Sequence, residues 1–220
     1  LYNAYSFYAL YANIDDFEYK NNSCTVSKRD KTDKWIISEL NSLIKAVEEH
    51  YEDYEPTKAA RAIQDFVINK LSNWYIRLNR RRFWKGEFNQ DKKNAYSTLF
   101  ECLEKISLIS SPIAPFYMDR LYQDLNQCNK SVHLAKFPAF NNEFINVSLE
   151  AEMRLAQKLS SAILSLRKKE KIRVRQPLEC ALIATSNNAV KDGVKKAKEI
   201  VLAETNLKNI KIIDESSKLL

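Results

Sequence analysis

The chain has little glycine and little histidine, and both shortages restrict the chemistry that it can carry out. Its 220 residues include two glycines, at positions 86 and 193, and two histidines, His50 and His133. A phosphate-binding loop needs several glycines within one turn, and a histidine-dependent triad needs a nucleophile and an acid around the imidazole. The sequence shows neither pattern, so we expect no catalytic residue in this chain.

The cysteines are scattered, and long apolar segments are missing. Cys24, Cys102, Cys128 and Cys180 lie far apart, without the paired spacing of zinc ligands or of a disulfide framework. Reduced thiols of this kind are typical of a cytoplasmic protein. No segment approaches the roughly 20 consecutive apolar residues of a membrane span, so no membrane partner is expected. No metal or cofactor site is predicted either.

The low content of glycine and proline favours long helices. The longest predicted helix begins at Pro56, a favourable first helical residue, and runs for about 28 residues to position 84 or 85. Its inner face repeats apolar residues at helical spacing: Ile63, Val67, Leu71, Trp74 and Leu78. The same spacing gathers a second, exposed face: Asn73, Arg77, Arg80, Arg81 and Trp84. Trp74 is therefore expected in the core and Trp84 at the surface.

Other apolar periodicities predict helices before and after this one. They cover about residues 1–12, a stretch from Asp30 or Thr32 to Tyr51, a helix capped by Asp91, and about residues 115–126 and 148–170. Residues 172–174 alternate as in a strand, and a strand, a helix and a strand follow at 178–184, 187–204 and 208–213. The predicted fold is mainly α: an antiparallel helical bundle over residues 1–171, followed by a small α+β strand-helix-strand unit over residues 172–220.

Positive charge is concentrated in two short stretches. The net charge of the whole chain is +7 at pH 7. The first basic run (residues 77–85) and the second basic run (residues 167–175) each carry a net charge of +5, so the remainder is slightly acidic. Localised positive charge favours a polyanionic partner.

The first basic run is also interleaved with aromatic rings. Residues 71–84 contain four arginines and four aromatic residues. Arginine grips phosphate with a planar fork, and aromatic rings stack on unpaired bases. From this chemistry alone two interpretations stay open: a surface that binds exposed RNA, and a buried aromatic helix with a solvated basic edge.

Six groups of residues match a known family in the same order along the chain. They are Leu1-x-Asn3-x-Tyr5-x-Phe7 with Tyr11-Ala12-Asn13, Asp33-x-Trp35-x-x-Ser38-x-Leu40, Ser72-Asn73-Trp74-Tyr75-Ile76-Arg77 with Arg80-Arg81-Arg82-Phe83-Trp84, Pro112-x-x-Pro115-Phe116, Ser131-Val132-His133-Leu134 and Arg173-Val174-Arg175-Gln176-Pro177-Leu178. Over about residues 1–180 the chain resembles the tRNA anticodon-binding domain of class I aminoacyl-tRNA synthetases for branched aliphatic amino acids. The last two groups favour the isoleucyl-tRNA synthetases among them.

The resemblance implies that the chain holds the anticodon stem-loop of tRNA(Ile) while a separate domain, using ATP and Mg²⁺, carries out the charging. It implies RNA contacts in both basic runs, for Arg77, Arg80, Arg81, Arg82, Phe83, Trp84, Lys85, Arg173 and Arg175. No cofactor is expected in this chain. The sequence begins at a leucine, and we interpret it as a monomeric piece of a longer synthetase, in contact with the remaining domains.

Alternatives stay open beside this interpretation. The chain could be the equivalent domain of a valyl- or leucyl-tRNA synthetase, or a non-catalytic helical module that binds an acidic protein. Arg173 and Arg175 could contact the tRNA stem or lie on the exposed face of an edge strand. Residues 26–29 match part of a catalytic signature of the family, but the preceding lysine is missing, and we interpret the match as chance.

Overall fold

A computed structural model describes residues 1–19 and 25–213 of the chain, so that Cys24 lies outside the described residues. This part is mainly helical and contains one small parallel sheet, which confirms the predicted fold class. It divides into two compact units, Leu1–Asn146 and Val147–Leu220. None of the helices described is long and apolar enough to cross a membrane.

The first unit is built from six α-helices and one π-helical segment within the described residues. The α-helices are α1 (Tyr2–Ile14), α2 (Lys31–Glu52), α3 (Pro56–Asp65), α4 (Arg77–Trp84), α5 (Gln90–Ser110) and α6 (Pro115–Asn126). The π-helical segment, Phe66–Ile76, joins α3 to α4. Short 3₁₀ turns interrupt the connections at Val26–Lys28, Val132–Leu134 and Asn142–Phe144.

Helix α2 lies at the centre of the first unit. Asp30 caps it as predicted, since its carboxylate accepts a hydrogen bond from Thr32 N at 2.8 Å. The apolar stripe of α2 is buried: Trp35, Ile36, Leu40, Leu43, Ile44 and Val47. Burying one such side chain completely contributes about 1.5–3 kcal/mol. Helices α3 and α5 and the π-helical segment pack around this stripe and form the core.

Residues 56–84 form one continuous helical rod, although it is not the uniform α-helix that the spacing predicts. Pro56 stands in its first turn, as expected. Within Phe66–Ile76 the rod is π-helical, with backbone hydrogen bonds that reach five residues along the chain. Trp74, Tyr75 and Ile76 are all buried in succession. The apolar spacing of an α-helix predicts burial for Trp74 but not for Tyr75 or Ile76.

The rod ends near Gly86, which has a φ angle of 88°. Glycine adopts this left-handed conformation without a steric penalty, so the predicted helix stop is confirmed. Helix α5 then begins under a different cap from the predicted one. Asn89 Oδ1 accepts a hydrogen bond from Lys92 N at 2.9 Å, whereas the Asp91 carboxylate pairs with Arg82.

The second unit contains α7 (Val147–Lys169), β1 (Leu178–Ala184), α8 (Asn188–Thr205) and β2 (Leu207–Ile213). The two strands pair in parallel, with Leu178 opposite Leu207, and α8 connects them, which confirms the predicted strand-helix-strand order. Helix α7 packs along α8. A Cβ at position 193 would lie 2.6 Å from Leu155 Cδ2, so Gly193 permits this close approach.

Two features of the second unit differ from the sequence-based expectation. Residues 172–176 form a turn instead of a strand, in which Gln176 N donates to Arg173 O at 3.0 Å. The compact unit begins at Val147, whereas the sequence places the division after residue 171. The composition changes at the first strand, but α7 packs with α8 and so belongs to the same compact unit.

Candidate nucleic-acid interface

The predicted polar face of the rod is exposed in the structure. Its members are Asn73, Arg77, Arg80, Arg81 and Trp84, and all five are exposed. Lys85, which follows the last turn of α4, is exposed as well. A row of four cations and one aromatic ring therefore lies on the surface of the first unit, and we call these residues the basic ridge: Arg77, Arg80, Arg81, Trp84 and Lys85.

The three tryptophans of the chain separate as the helical spacing predicts. Trp35 is 1% exposed and Trp74 is 4% exposed, whereas Trp84 is 54% exposed. Trp74 is thus a core residue. Trp84 presents more than half of its surface to solvent, which is what stacking on an unpaired base requires.

Two arginines of the basic ridge lie over aromatic rings. The guanidinium carbon of Arg80 lies 6.0 Å from the centre of the Phe7 ring, and that of Arg77 lies 5.8 Å from the Trp74 ring. Within the described residues, the side chains of Arg80, Arg81 and Lys85 form no ion pair or hydrogen bond. The charges of these three side chains are therefore available to a polyanion. The aromatic rings restrict the positions that the side chains of Arg77 and Arg80 adopt.

Arg82 corrects the expectation that every arginine of the run contacts RNA. Its two terminal nitrogens bond both carboxylate oxygens of the fully buried Asp33, at 2.9 and 2.8 Å. Further bonds go to Asp91 at 2.7 and 2.9 Å and to Asn79 Oδ1 at 2.9 Å. An arginine has five N–H donors, and all five are now occupied. Arg82 therefore fastens α4 to the starts of α2 and α5.

Electrostatics strengthens this arrangement. Burial alone would lower the pKa of Arg82, but the hydrogen bonds to Asp33 and Asp91 raise it above its ordinary value. Tyr75 donates its hydroxyl hydrogen to Asp33 Oδ1 at 2.6 Å. Burial, followed by the negative charge of Asp33, raises the pKa of Tyr75, so the phenol remains protonated. The buried carboxylate thus has a cationic partner and a neutral donor.

Phe83 corrects a second expectation. Its ring has no exposed surface, so it cannot stack on a base while α4 is folded. It packs edge-on against Phe7 and Tyr96, with ring centres 5.1 and 5.2 Å apart. Phe83 is therefore a core residue that supports the ridge from below.

One signal in the sequence points to the buried partner of Arg82. Asp33 lies three, four and seven residues before Ile36, Ile37 and Leu40, so helical spacing places its carboxylate on the apolar stripe of α2. A carboxylate buried on such a stripe requires a cation from elsewhere in the fold. The pattern indicates that an arginine is used in this way, although it does not identify which one.

The second basic run is arranged around a buried arginine. Arg167 is 3% exposed and donates to three backbone carbonyls: Arg173 O at 3.2 Å, Gln176 O at 3.0 Å and Asn206 O at 3.0 Å. Arg173 and Arg175 are exposed on the turn that Arg167 holds. They are thus accessible, as predicted, but lie on a turn and not on an edge strand.

Other residues that could act in catalysis or metal binding have structural roles or lie apart from one another. Arg29, in the chance match to a catalytic signature, is 6% exposed and pairs with Glu101 at 2.7 Å. Across residues 1–19 and 25–213, no three His, Cys, Asp or Glu side chains form a group that could hold a metal ion. The basic ridge is therefore the best-supported candidate site of the first unit.

Comparison with known proteins agrees with this geometry. A family model described as the anticodon-binding domain of tRNA ligase matches residues 33–182, which is more than half of the chain. The chain belongs to this anticodon-binding family. The matched region includes the basic ridge, the ion-paired Arg82 and the buried Arg167.

Individual relatives cover the whole chain but only part of their own length. The isoleucine–tRNA ligase of Bacteroides thetaiotaomicron is 49% identical over 100% of this chain and 19% of that protein. The isoleucine–tRNA ligase of Cytophaga hutchinsonii is 50% identical over 99% of the chain and 20% of that protein. That of Dehalococcoides mccartyi is 41% identical over 94% of the chain. The chain spans about a fifth of the length of the curated relatives that it matches.

Proposed function

We propose that this chain holds the anticodon stem-loop of tRNA(Ile), as one domain of a longer isoleucine–tRNA ligase. The observation that carries the proposal is the basic ridge, four cations and an exposed tryptophan on one helical face of an anticodon-binding domain. Relatives that carry the name isoleucine–tRNA ligase match the chain over nearly its whole length. Charging with ATP and Mg²⁺ would take place in another domain, so the chain alone would be non-catalytic.

Each exposed residue has a role in this proposal. Arg77, Arg80, Arg81 and Lys85 contact phosphates and base edges, as arginine and lysine do in many RNA complexes. Trp84 stacks on a base that is splayed out of the anticodon loop. In the second unit, the exposed pair Arg173 and Arg175 contacts the tRNA stem.

The proposal predicts a defined salt dependence. If the four cations of the basic ridge each neutralise one phosphate, their contribution to the slope of log K against log salt concentration is about −2.8, at 0.7 per contact for single-stranded RNA. Arg82 adds nothing to this slope, because all five of its donors bond protein atoms.

The proposal includes the location and the oligomeric state of the longer protein. We place the longer protein in the cytoplasm, as a monomer whose other domains contact this chain.

Two rival functions are open to the chain. They are the equivalent domain of a valyl- or leucyl-tRNA synthetase and a helical module that binds an acidic protein. The names of the relatives favour isoleucine over the first rival. The exposed indole of Trp84 favours RNA over the second, because an acidic protein partner offers no unpaired bases.

The decisive experiment is a binding titration of this chain at two salt concentrations. The ligands are isoleucine tRNA, valine tRNA and an isoleucine tRNA that carries a swapped anticodon, and the signal is the fluorescence anisotropy of a dye attached to the tRNA. We expect the unswapped isoleucine tRNA to bind most tightly and the affinity to fall with salt. Equal binding of all three ligands would contradict the proposal.

Single-residue variants test whether the basic ridge is responsible for the binding. Arg81→Ala is expected to weaken the preference for isoleucine tRNA, and Trp84→Ala to weaken binding by about tenfold, within the range for loss of one stacked base. Arg61→Ala is the matched control, since Arg61 is an exposed arginine of α3 that lies outside both basic runs. A control that loses as much affinity as Arg81→Ala would show that only total charge matters.

A further inference from the structure

A cavity of the first unit opens between α1, α5 and the end of α6. Its volume is about 460 Å³. This volume lies within the range of roughly 300–1,000 Å³ that is typical of small-ligand pockets. The described residues that line the cavity include no member of the basic ridge. They include Tyr8 of α1, Phe100 and Glu104 of α5, the last residues of α6, and Glu18 and Tyr19 from the segment after α1.

Aromatic rings form one wall of this cavity. The rings of Tyr19 and Phe100 stack, with their centres 4.1 Å apart and an angle of 15° between their planes. The ring of Tyr8 packs at a tilt against Phe100, with 6.2 Å between the ring centres. The faces of aromatic rings carry partial negative charge and attract cations. A cation with an apolar stem would therefore be stabilised by this wall.

Negative charge lies at the same cavity. Glu18 is exposed and forms no ion pair with any residue that the structure describes. Glu104 is half-buried and pairs with Lys105 at 3.3 Å. Burial, followed by the charges of Glu101 and Glu104, raises the pKa of Tyr19, so its phenol remains protonated. The edge of the cavity is thus negative, opposite in sign to the basic ridge.

Helix α6 ends at the cavity and adds partial negative charge. Leu125 and Asn126, its last residues, line the cavity, and Gln127 follows in the left-handed conformation with a φ angle of 49°. Within the described part of the chain, the backbone carbonyls of Leu125 and Asn126 accept no hydrogen bond. Such carbonyls at a helix C-terminus favour a nearby cation.

Tyr8 contributes a hydroxyl that no protein group satisfies. The residue is 8% exposed, and its hydroxyl forms no hydrogen bond among residues 1–19 and 25–213. Burial, followed by the nearby hydroxyls of Tyr5 and Tyr19, raises the pKa of Tyr8. Since Tyr19 also lines the cavity, the hydroxyl of Tyr8 lies close to the bound ligand's space. A buried hydroxyl without a partner is costly, and a ligand that donates to its oxygen removes that cost.

We propose that this cavity binds a protonated primary amine on a short aliphatic stem. An ammonium group has three N–H donors and no acceptor. It donates to the carboxylate of Glu104, to the hydroxyl of Tyr8 and to a carbonyl at the end of α6. Its stem packs on the rings of Tyr19 and Phe100. A metal ion fits less well, because no three metal-ligating side chains meet in the part of the chain that the structure describes.

The test is a titration of this chain that is followed by the chemical shifts of its amides in NMR. Two probes carry the proposed group: the free diamine putrescine, and a lysine blocked at both backbone ends, which represents a lysine side chain of a protein. Two controls each lack one feature of the ligand. Butanediol has the stem without the charge, and Mg²⁺ at matched ionic strength has the charge without the stem.

We expect the amines to shift the amide signals of Glu18, Tyr19 and Gln127 with a saturable dependence on concentration. The amine that binds more tightly identifies the source of the ammonium group, a free amine or a protein side chain. Butanediol and Mg²⁺ should leave these signals unchanged. The inference is wrong if neither amine gives a saturable shift, or if either control shifts the same signals as strongly.

Two isosteric variants test the contacts. Glu104→Gln and Tyr8→Phe should each weaken binding of the tighter amine by about tenfold, at the lower end of the range for a hydrogen bond to a charged group. The matched controls are Glu49→Gln, at an exposed carboxylate of α2, and Tyr2→Phe, at an exposed tyrosine of α1. Both controls should bind as wild type does.

Equal affinity in Glu104→Gln, Tyr8→Phe and wild type would overturn the inference. An equal loss in Glu49→Gln and Glu104→Gln would also overturn it, because only the total negative charge would then matter. Titration of the same variants with isoleucine tRNA separates this inference from the proposed function. Since neither Tyr8 nor Glu104 belongs to the basic ridge, both variants should bind tRNA as wild type does, and either proposal can fail without the other.

Discussion

The two basic runs are similar in sequence, but each has one arginine that bonds the protein itself, and the two do so differently. In each run that guanidinium is partly or fully buried while its charged neighbours stay exposed. Arg82 pairs with two carboxylates, one of them fully buried, whereas Arg167 bonds three backbone carbonyls and, among the described residues, no carboxylate. The first joins the ends of three helices, and the second holds a turn against the start of the last strand.

This difference shows that the number of charges in a run does not equal the number that a partner can reach. Each run has a net charge of +5 in the sequence, yet one arginine in each run bonds other groups of the protein. A buried charge is costly unless it is paired and hydrogen-bonded, so we expect these two arginines to contribute to stability. The exposed members remain to determine binding.

The largest expected effect tests Arg82. The variant Arg82→Ala leaves the carboxylate of Asp33 buried without its cation, which should lower the free energy of unfolding by about 3–5 kcal/mol. Denaturant unfolding measures this loss. Arg81→Ala, one residue away and exposed, is the control and should change stability by less than about 0.5 kcal/mol.

The double variant Asp33→Asn with Arg82→Ala sharpens the test. Removing both charges together should cost less than the sum of the two single variants, because neither group is then left unpaired. Additive losses would mean that the two side chains stabilise the fold independently, and the description of Arg82 as a clamp on Asp33 would be wrong.

A smaller effect is expected at Arg167, whose partners are uncharged. The variant Arg167→Ala removes a donor from three backbone carbonyls, of which Arg173 O and Asn206 O keep a backbone donor, and should destabilise the second unit by about 1–3 kcal/mol. Hydrogen exchange at the amide of Leu178, which donates to Asn206 O at 3.2 Å, should become faster. Lys168→Ala is the exposed control and should leave the exchange rate unchanged. Equal exchange in both variants would contradict a holding role for Arg167.

The smallest effect concerns the exposed arginines of the two runs. Arg81→Gln and Arg173→Gln should each reduce the magnitude of the salt slope for tRNA binding by the contribution of one phosphate contact, about 0.7 for a single-stranded loop and about 0.9 for a duplex stem. Neither should change the free energy of unfolding. If Arg173→Gln leaves the slope unchanged, Arg173 does not contact RNA, and the exposed arginines of the two runs do not share the same role.

Much of the fold could be predicted from local sequence, because caps and apolar spacing act over a few residues. Asp30, Pro56 and Gly86 mark helix ends as expected, and the opposite placement of Trp74 and Trp84 follows from helical spacing. The π-helical segment could not be predicted, because its wider turn depends on how Tyr75 and Ile76 are buried by neighbouring helices.

The candidate site could be predicted less completely, since its membership is decided by distant partners. Arg82 differs from Arg81 through its bonds to Asp91 and to Asp33, which lies 49 residues away in the chain. Phe83 is buried because Phe7 of α1 and Tyr96 of α5 pack against it.

The π-helical segment has a consequence for how this chain tolerates insertions and deletions. An α-helix turns by about 100° per residue and the wider π-helix by somewhat less, so losing one residue from a π-helical Phe66–Ile76 would rotate α4 by a large part of that angle relative to α3. Arg82 would then face away from Asp33, and the exposed cations would face a different direction. The rotational phase of α4 is therefore set by the number of residues in the segment before it. Substitutions on the surface of the rod should be tolerated far better than any change in its length.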